Sequence, residues 1–348
     1  MPVDHLRPLT PGDLRALTAV REGETRLGER LGTPGADGAL PAGTRAAVLG
    51  VPEDVGVRAN LGRPGARRTW RAFLPRFVNM QSNAFLEGSR VAVAGCVEVR
   101  DIRRSVRGID PAAGGPKARA AALAALREAT ARIDERVASV VEAVRRQGAV
   151  PIVVGGGHNN AFGILAGCAR ARGGPMACVN VDLHADLRPL EGRHSGNGFT
   201  AARAAGYLGR YAVLGLAEAF ATQAIVETIE RDPETVAVTF ESMLRGQSTL
   251  ASMAAAGIAH VAGAPATLEL DLDAVAQAPA SAAAASGFTA AEFRAVAMRV
   301  AAGVDLQAVH VAEGAPGRGP WPDEMLGKLV AELVRDAACA ACARPFSA

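Results

Sequence analysis

The sequence predicts an α/β protein, a three-layer α/β/α sandwich around a central, mainly parallel sheet of eight strands. Two observations favour this fold class: short apolar runs recur along the chain, and helical patterns lie between several of them. The apolar runs are residues 46–51, 91–97, 150–154, 177–182, 212–216, 236–240, 267–272 and 308–313. Because these runs are apolar almost throughout, they are typical of strands buried on both faces of a parallel sheet.

The helices between the strands are predicted from hydrophobic periodicity. The longest covers about 117–147, where Ile133 and Val137 belong to a row of apolar residues at spacings of three, four or seven. A second covers about 289–303 and begins at Thr289, with a glutamate three residues later as in a capping box. Strands joined by helical crossovers indicate a sheet covered by helices on both faces.

Composition limits the domain organisation and the class of protein. Residues 1–45 are the least regular part and are predicted to be an N-terminal extension, whereas residues 46–348 are predicted to form a single domain. A net charge of +3, with acids and bases intermixed, gives no indication of nucleic-acid binding. The chain has no long apolar run and no signal-peptide pattern, so we expect a cytoplasmic protein without a membrane span. Five scattered cysteines argue against a disulfide framework, and Cys339 and Cys342 are interpreted as ordinary helix residues.

Ionisable side chains follow four of the predicted strands, at the point where each strand ends. They are His158, in the glycine-rich segment GGGHNN, then Asp182, His184, Asp186, Asp271, Asp273 and Glu313. Ligands of open parallel sheets bind beyond the carboxyl ends of the strands. The sequence therefore predicts that these side chains meet in one site.

The spacing and chemistry of these residues predict a metal centre. Asp182, His184 and Asp186 alternate along the chain, as do Asp271 and Asp273, and alternate residues of an extended segment point the same way. A lone histidine or an aspartate pair is ordinarily structural, but three ionisable groups ending a buried strand need a counter-ion. Two imidazoles and four carboxylates suit two divalent ions about 3.5–4 Å apart. Oxygen-rich ligation without thiolate favours Mn2+ over zinc or copper.

The segments GGGH, DLHAD and DLD, in this order, resemble the ureohydrolase superfamily of arginases, agmatinases and formimidoylglutamases. The resemblance covers about residues 46–335. It is strongest to the formimidoylglutamases, through residues 50–83 and the segments GGGHNN, DLHADLRP and RHSGNGF. It implies an α/β/α sandwich around eight parallel strands, a pair of Mn2+ ions as the cofactor, and a homo-oligomer.

The resemblance also implies a role for each site residue. The metal ligands it implies are His158, Asp182, His184, Asp186, Asp271 and Asp273. The catalytic residues it implies are Asp186, Glu313 and His194, and the substrate-binding residues are Arg188, His194, Ser195, Asn197 and Glu313. Asp186 would orient the nucleophile, Glu313 would contact the amidine or guanidinium group, and Arg188 would pair with a substrate carboxylate. His194 is predicted to relay a proton to the leaving amine.

The function expected from these residues is the hydrolysis of a linear amidine, best matched by N-formimidoyl-L-glutamate, to glutamate and formamide. One alternative is the hydrolysis of another guanidino compound, as in an agmatinase or a guanidino-acid hydrolase. The basic residues Arg188, Arg193 and His194 argue against a substrate with a cationic tail. A different alternative is a catalytically silent metal-binding protein, because the segment 274–288 departs from the proline-rich loop that is usual in the superfamily.

Overall fold

A computed structural model of the protein describes residues 3–317 and 320–343. Its strands form one sheet of nine. They are β1 (Leu6–Pro8), β2 (Ala46–Gly50), β3 (Val91–Val97), β4 (Val150–Val154), β5 (Met176–Val181), β6 (Leu208–Leu216), β7 (Thr235–Thr239), β8 (Pro265–Asp271) and β9 (Asp305–Ala312). The order across the sheet is β1-β3-β2-β4-β9-β8-β5-β6-β7.

All eight predicted strands are present and pair in parallel, which confirms the predicted fold class. The ninth is β1, which the sequence analysis did not predict and which pairs antiparallel with β3 at the edge of the sheet. It is only three residues long, too short for a periodic pattern to mark it. It lies within residues 1–45, so part of the predicted N-terminal extension adds to the sheet. The boundary between an extension and a single domain stays a prediction.

Helices cover both faces of the sheet. They are α1 (Pro11–Leu17), α2 (Val55–Ala59), α3 (Thr69–Phe77), α4 (Arg100–Ser105), α5 (Pro116–Arg146), α6 (Asn160–Arg172), α7 (Gly198–Ala204), α8 (Gln223–Arg231), α9 (Phe240–Leu244), α10 (Leu250–Val261), α11 (Ala290–Gly303) and α12 (Asp323–Ala343). One apolar core includes buried side chains of α3, α10, α11 and α12, and the other includes those of α4, α5, α6 and α7. The three layers are therefore helix, sheet and helix.

The two helices predicted in most detail are confirmed. Helix α5 begins and ends within a residue of the predicted bounds, and its buried face includes Ile133 and Val137. Helix α11 has the predicted capping box, with the Thr289 hydroxyl accepting a hydrogen bond from the Glu292 amide. Cys339 and Cys342 lie on α12 as free thiols. Among the described residues, no helix is long and apolar enough to cross a membrane.

Candidate metal centre

The loop after β4 requires glycine to bring His158 into the site. Gly156 has a positive φ of 77°. A Cβ at this position would lie 2.2 Å from Nδ2 of Asn160 and 2.9 Å from Oε1 of Glu53. Oε1 of the buried Glu53 accepts hydrogen bonds of 2.9 Å from the Gly157 amide and from Nδ2 of Asn160. The loop is thus packed around a carboxylate that leaves no room for a side chain.

The residues after β5 converge on the site through a bend. Strand β5 ends at Val181, and Asp182, His184 and Asp186 lie beyond it in non-strand conformation. Asp186 has a φ of 49°, in the left-handed region. The side chains were predicted to meet because they alternate along an extended segment. They do meet, but the extended geometry was wrong, because the chain turns immediately after the strand.

Two aspartates at neighbouring strand ends are held in the same way. Oδ1 of Asp182 accepts a hydrogen bond of 2.8 Å from the His184 amide, two residues ahead. Oδ1 of Asp271 accepts one of 2.7 Å from the Asp273 amide, also two residues ahead. In each carboxylate the second oxygen, Oδ2, faces His158. The backbone therefore fixes one oxygen and leaves the other to face the centre of the site.

Four of the six predicted ligands form a tight group. Nδ1 of His158 lies 2.9 Å from Oδ2 of Asp271, 3.1 Å from Oδ2 of Asp186 and 3.3 Å from Oδ2 of Asp182. The ligand atoms of these four residues all lie within 4.8 Å of one another. His184 and Asp273 lie at the edge of the group, and Nδ1 of His184 is 3.3 Å from Oδ1 of Asp182.

Burial and the charges of neighbouring side chains shift the pKa values of the aspartates in and beside this group. Burial, and then the charge of Asp182, raise the pKa of Asp271 to about 7. Burial and the charge of Asp271 raise the pKa of Asp273 well above its ordinary value. Burial also opposes the ionisation of Asp182, but the imidazoles of His158 and His184 hold its pKa below the ordinary range. The site thus holds more negative charge than its own side chains neutralise.

These observations fit a divalent cation. Both ring nitrogens of His158 are buried without a hydrogen-bond partner among the described residues, a state that proteins rarely tolerate. Three carboxylate oxygens face one of those nitrogens, and a cation among them would neutralise the charges that raise the pKa of Asp271. Carboxylate and imidazole ligands without thiolate suit Mn2+ better than zinc or copper.

Glu313 forms one wall of the site. It has a φ of 62°, and its Oε1 accepts a hydrogen bond of 2.6 Å from the His158 amide. Its Oε2 accepts a hydrogen bond from Oγ of Ser281. Ser281 belongs to segment 274–288, whose sequence differs from the proline-rich loop that is usual in the superfamily. Burial, and then the charge of Asp273, raise the pKa of Glu313 to about 8. The wall is thus a buried acid whose ionised form a cationic group would favour.

A cavity of about 780 Å³ opens beside the group. Its lining includes His184, Asp186, Arg188, Ser195, Asp271, Asp273 and Glu313. Arg188 is half exposed and donates from Nη1 to Oδ1 of Asn60 at 2.7 Å. Nδ2 of Asn60 donates in turn to Oγ of Ser195 at 3.2 Å. Four carboxylates, those of Asp186, Asp271, Asp273 and Glu313, therefore lie in the cavity wall together with the guanidinium of Arg188.

Three residues of the predicted entrance loop do not line this cavity. His194 is completely buried, and its Nδ1 accepts a hydrogen bond of 3.1 Å from the Gly196 amide. Nδ2 of Asn197 donates to backbone carbonyls of its own loop. Arg193 was predicted to make the entrance basic, but its Nε donates to Oδ2 of the buried Asp134 at 2.8 Å. These side chains stabilise the loop, and the geometry gives no support to His194 as a proton relay.

Several residues of the site were missed by the sequence analysis. Glu269 on β8 and His310 on β9 are fully buried behind His158. A signal for both was present, because each is an ionisable residue between apolar neighbours inside a buried strand. Asn60 lies far along the chain from the other site residues, whereas Ser281 lies eight residues after Asp273, and no local pattern marks either of them.

The sequence is similar to those of a known family and of several known enzymes. The model of the arginase family matches residues 44–339. A formimidoylglutamase of Corynebacterium efficiens is 42% identical over 83 residues, which are 24% of this chain and 26% of that protein. A formimidoylglutamase of Chromobacterium violaceum is 35% identical over 167 residues, 40% of this chain and 52% of that protein. The chain thus spans about a quarter of the length of one relative and about half of the other.

The fold has been seen in solved structures. The crystal structure of Trypanosoma cruzi formiminoglutamase with Mn2+ matches with a TM-score of 0.71 and 20% identity, covering 92% of this chain and 100% of that one. The protein is therefore an α/β/α sandwich of the arginase type. With a family model that matches most of its length, the chain belongs to the arginase family, as the sequence predicted.

Proposed function

We propose that the protein is a binuclear manganese hydrolase that converts N-formimidoyl-L-glutamate and water to L-glutamate and formamide. The observation that carries the proposal is the group of His158 and three aspartate carboxylates, beside a cavity whose wall includes Asp186, Asp271 and Arg188. Both relatives described above are formimidoylglutamases, and the T. cruzi enzyme was solved with Mn2+. These observations favour an amidine substrate with a carboxylate tail over the guanidino compounds that were considered as alternative substrates.

Each ion would have its own ligands and share two. The first would be held by His158, Asp182, Asp186 and Asp271, and the second by Asp182, His184, Asp271 and Asp273. Asp182 and Asp271 suit the shared positions, because both belong to the tight group and each also contacts one residue at its edge, His184 and Asp273 respectively. When bound, such a pair of ions lowers the pKa of water enough to supply hydroxide near neutral pH.

The remaining residues would orient the substrate. The buried carboxylate of Glu313 would pair with the amidinium end, and Ser281 would keep that carboxylate in place through its hydroxyl. At the other end of the cavity, the guanidinium of Arg188 would bind a carboxylate of the glutamate moiety. Asp186, whose side chain faces the same cavity, would accept a hydrogen bond from the nucleophile and align it with the amidine carbon.

The proposal is tested with the purified full-length protein after loading with Mn2+. Formamide and glutamate should be released from N-formimidoyl-L-glutamate in equal amounts, and Arg188→Ala should raise the KM far more than it lowers kcat. Agmatine and guanidino acids serve as competing substrates, with urea release as the readout. Urea from a guanidino compound, with no formamide from formimidoylglutamate, would show that the substrate is wrong. Bound metal below one ion per chain would favour the silent alternative.

We also propose a cytoplasmic location. The five cysteines are all free thiols, and four of them, Cys96, Cys168, Cys178 and Cys342, are buried. Free thiols are typical of proteins in a reducing compartment. Fractionation of the native host should recover the protein with cytoplasmic markers, and recovery with periplasmic or secreted markers would contradict this location.

A further inference from the structure

Two ionisable side chains are buried in the middle of the sheet, behind the candidate metal centre. Glu269 on β8 and His310 on β9 are 0% exposed and are direct neighbours in the register of the two strands. Nδ1 of His310 lies 2.7 Å from Oε2 of Glu269. The same Glu269 oxygen lies 3.5 Å from Nε2 of His158. The proposed reaction gives neither Glu269 nor His310 a role.

The ring of His158 has different surroundings at its two nitrogens. Nδ1 faces the oxygens of Asp182, Asp186 and Asp271, where a metal ion would bind. Nε2 is on the opposite side of the ring and lies 3.5 Å from Oε2 of Glu269. A neutral imidazole carries one hydrogen, and a metal ligand needs a lone pair on the other nitrogen. An acceptor placed at Nε2 therefore decides which nitrogen is available to the metal.

We infer that, when metal is bound, Glu269, held in position by His310, accepts the Nε2 hydrogen of His158 and so directs the Nδ1 lone pair toward the first ion. This inference rests on the proposed function. A carboxylate behind a ligating histidine fixes the orientation of the ring and increases its donor strength, and loss of such a carboxylate typically weakens metal binding by about 10- to 100-fold. Glu269 and His310 are accordingly positioning residues, which act on the metal through His158.

The same three residues are close enough together to suggest an additional cation site, but the contacts of His310 argue against it. Its Nδ1 faces the carboxylate of Glu269, and its Nε2 lies 3.3 Å from the carbonyl oxygen of Gly155. Both ring nitrogens of His310 thus face a protein oxygen, so each is already engaged within the sheet. Glu269 and His310 instead hold each other in place within the sheet.

The test is Mn2+ binding to the metal-free, full-length protein, measured by calorimetry without substrate. Glu269→Gln keeps the shape of the side chain and removes its charge. Thr267→Val is the matched control, because Thr267 is equally buried on the same strand and its hydroxyl has no hydrogen-bond partner among the described residues. The visible spectrum of the Co2+-loaded protein reports the ligand field of the histidine independently of activity. The melting temperature of each metal-free variant reports whether it folds.

We expect Glu269→Gln to weaken the tighter Mn2+ site by about 10- to 100-fold and to shift the Co2+ spectrum, while Thr267→Val changes neither. If Glu269→Gln does not fold, His310→Gln, whose amide still donates to Glu269, should show a smaller loss of affinity. Affinity within threefold of the parent and an unchanged spectrum would overturn the inference.

Two other outcomes separate this inference from the proposed function. A third equivalent of Mn2+ that binds the parent and is lost in Glu269→Gln would overturn the inference, because it would show a cation site. A parent that binds two ions but releases no formamide from formimidoylglutamate would refute the substrate alone, and the expected loss in Glu269→Gln would still support the positioning role. A parent that binds no Mn2+ would overturn both.

Discussion

The buried ion pair between Arg193 and Asp134 leads to a prediction about stability and pH. Asp134 is 1% exposed, and one of its oxygens has no hydrogen-bond partner among the described residues. Arg193 also donates to the backbone carbonyl of Asn159, next to His158, at 3.0 Å. The pair therefore connects the entrance loop, helix α5 and the loop that carries His158.

The magnitude follows from the pKa of Asp134. Burial raises this pKa from 3.8 to about 7, although the charge of Arg193 acts in the opposite direction. The folded protein thus favours the protonated acid. The contribution of the protonated Asp134 to the free energy of unfolding is fully present below about pH 4 and is lost as the pH rises through about 7. At 1.36 kcal/mol per pKa unit, the loss across this window is about 4 kcal/mol.

Replacing Arg193 by methionine keeps an apolar stem over the ring of Phe162, which the guanidinium carbon approaches to 4.9 Å from the ring centroid. The ionised Asp134 then loses its partner. We expect the free energy of unfolding to fall by about 2 kcal/mol at about pH 8.5, because Asp134 without its partner takes up a proton, at about 1.36 kcal/mol for each pH unit above its pKa in the parent. At about pH 5 the loss should be much smaller, because Asp134 is protonated in both proteins.

The assay is urea unfolding of parent and variant at both pH values, followed by circular dichroism. Comparing the two proteins at the same pH removes the contribution of the titrating metal ligands, which both share. Adding Asp134→Asn to the Arg193→Met variant should recover much of the loss at high pH. An equal loss at both pH values, or a loss below about 1 kcal/mol at high pH, would refute the assignment of a buried ionised pair.

Four further outcomes are expected. Asp271→Asn should reduce bound Mn2+, measured by elemental analysis, from two ions per chain to fewer than one, because Asp271 is proposed to serve both ions; retention of two ions would contradict this sharing. Ser281→Ala should lower kcat by about tenfold through the loss of its hydrogen bond to Glu313, and an unchanged kcat would remove Ser281 from the site. His194→Gln should lower kcat/KM by less than tenfold in the folded protein, and a loss above 100-fold would restore the proton relay. Mn2+ in excess should raise the melting temperature of the parent, and no shift would argue against a built metal site.

The sequence was sufficient to predict the sheet and the carboxylate–histidine set, because both leave strong local signals. Apolar runs mark parallel strands, and ionisable residues directly after them are rare without a function. The carboxyl ends of parallel strands meet at one edge of the sheet, so residues as distant along the chain as His158 and Asp271 were predicted to be neighbours. The structure brings them within 2.9 Å of each other.

The roles of the entrance residues were harder to predict, because they depend on side-chain direction in a loop. Arg188 and Arg193 are five positions apart in a basic segment, and composition treats them alike. In the structure Arg188 lines the cavity, whereas Arg193 turns inward to a buried carboxylate on α5. Arg193 differs from Arg188 only because the fold places Asp134 beside it. No local sequence pattern links Asp134 to the loop that carries the two arginines.

Backbone conformation at the site is a further property that periodicity cannot reveal. Asp186 and Glu313 have φ values of 49° and 62°, in the left-handed region that residues other than glycine rarely adopt. Each such residue costs on the order of 1–3 kcal/mol, and it persists only where the surroundings hold it in place. At Glu313, the His158 amide and the Ser281 hydroxyl hold one carboxylate oxygen each. Glu313 directly follows the end of β9, and Asp186 lies just beyond the bend after β5. At both positions the left-handed backbone accompanies a carboxylate that lines the cavity.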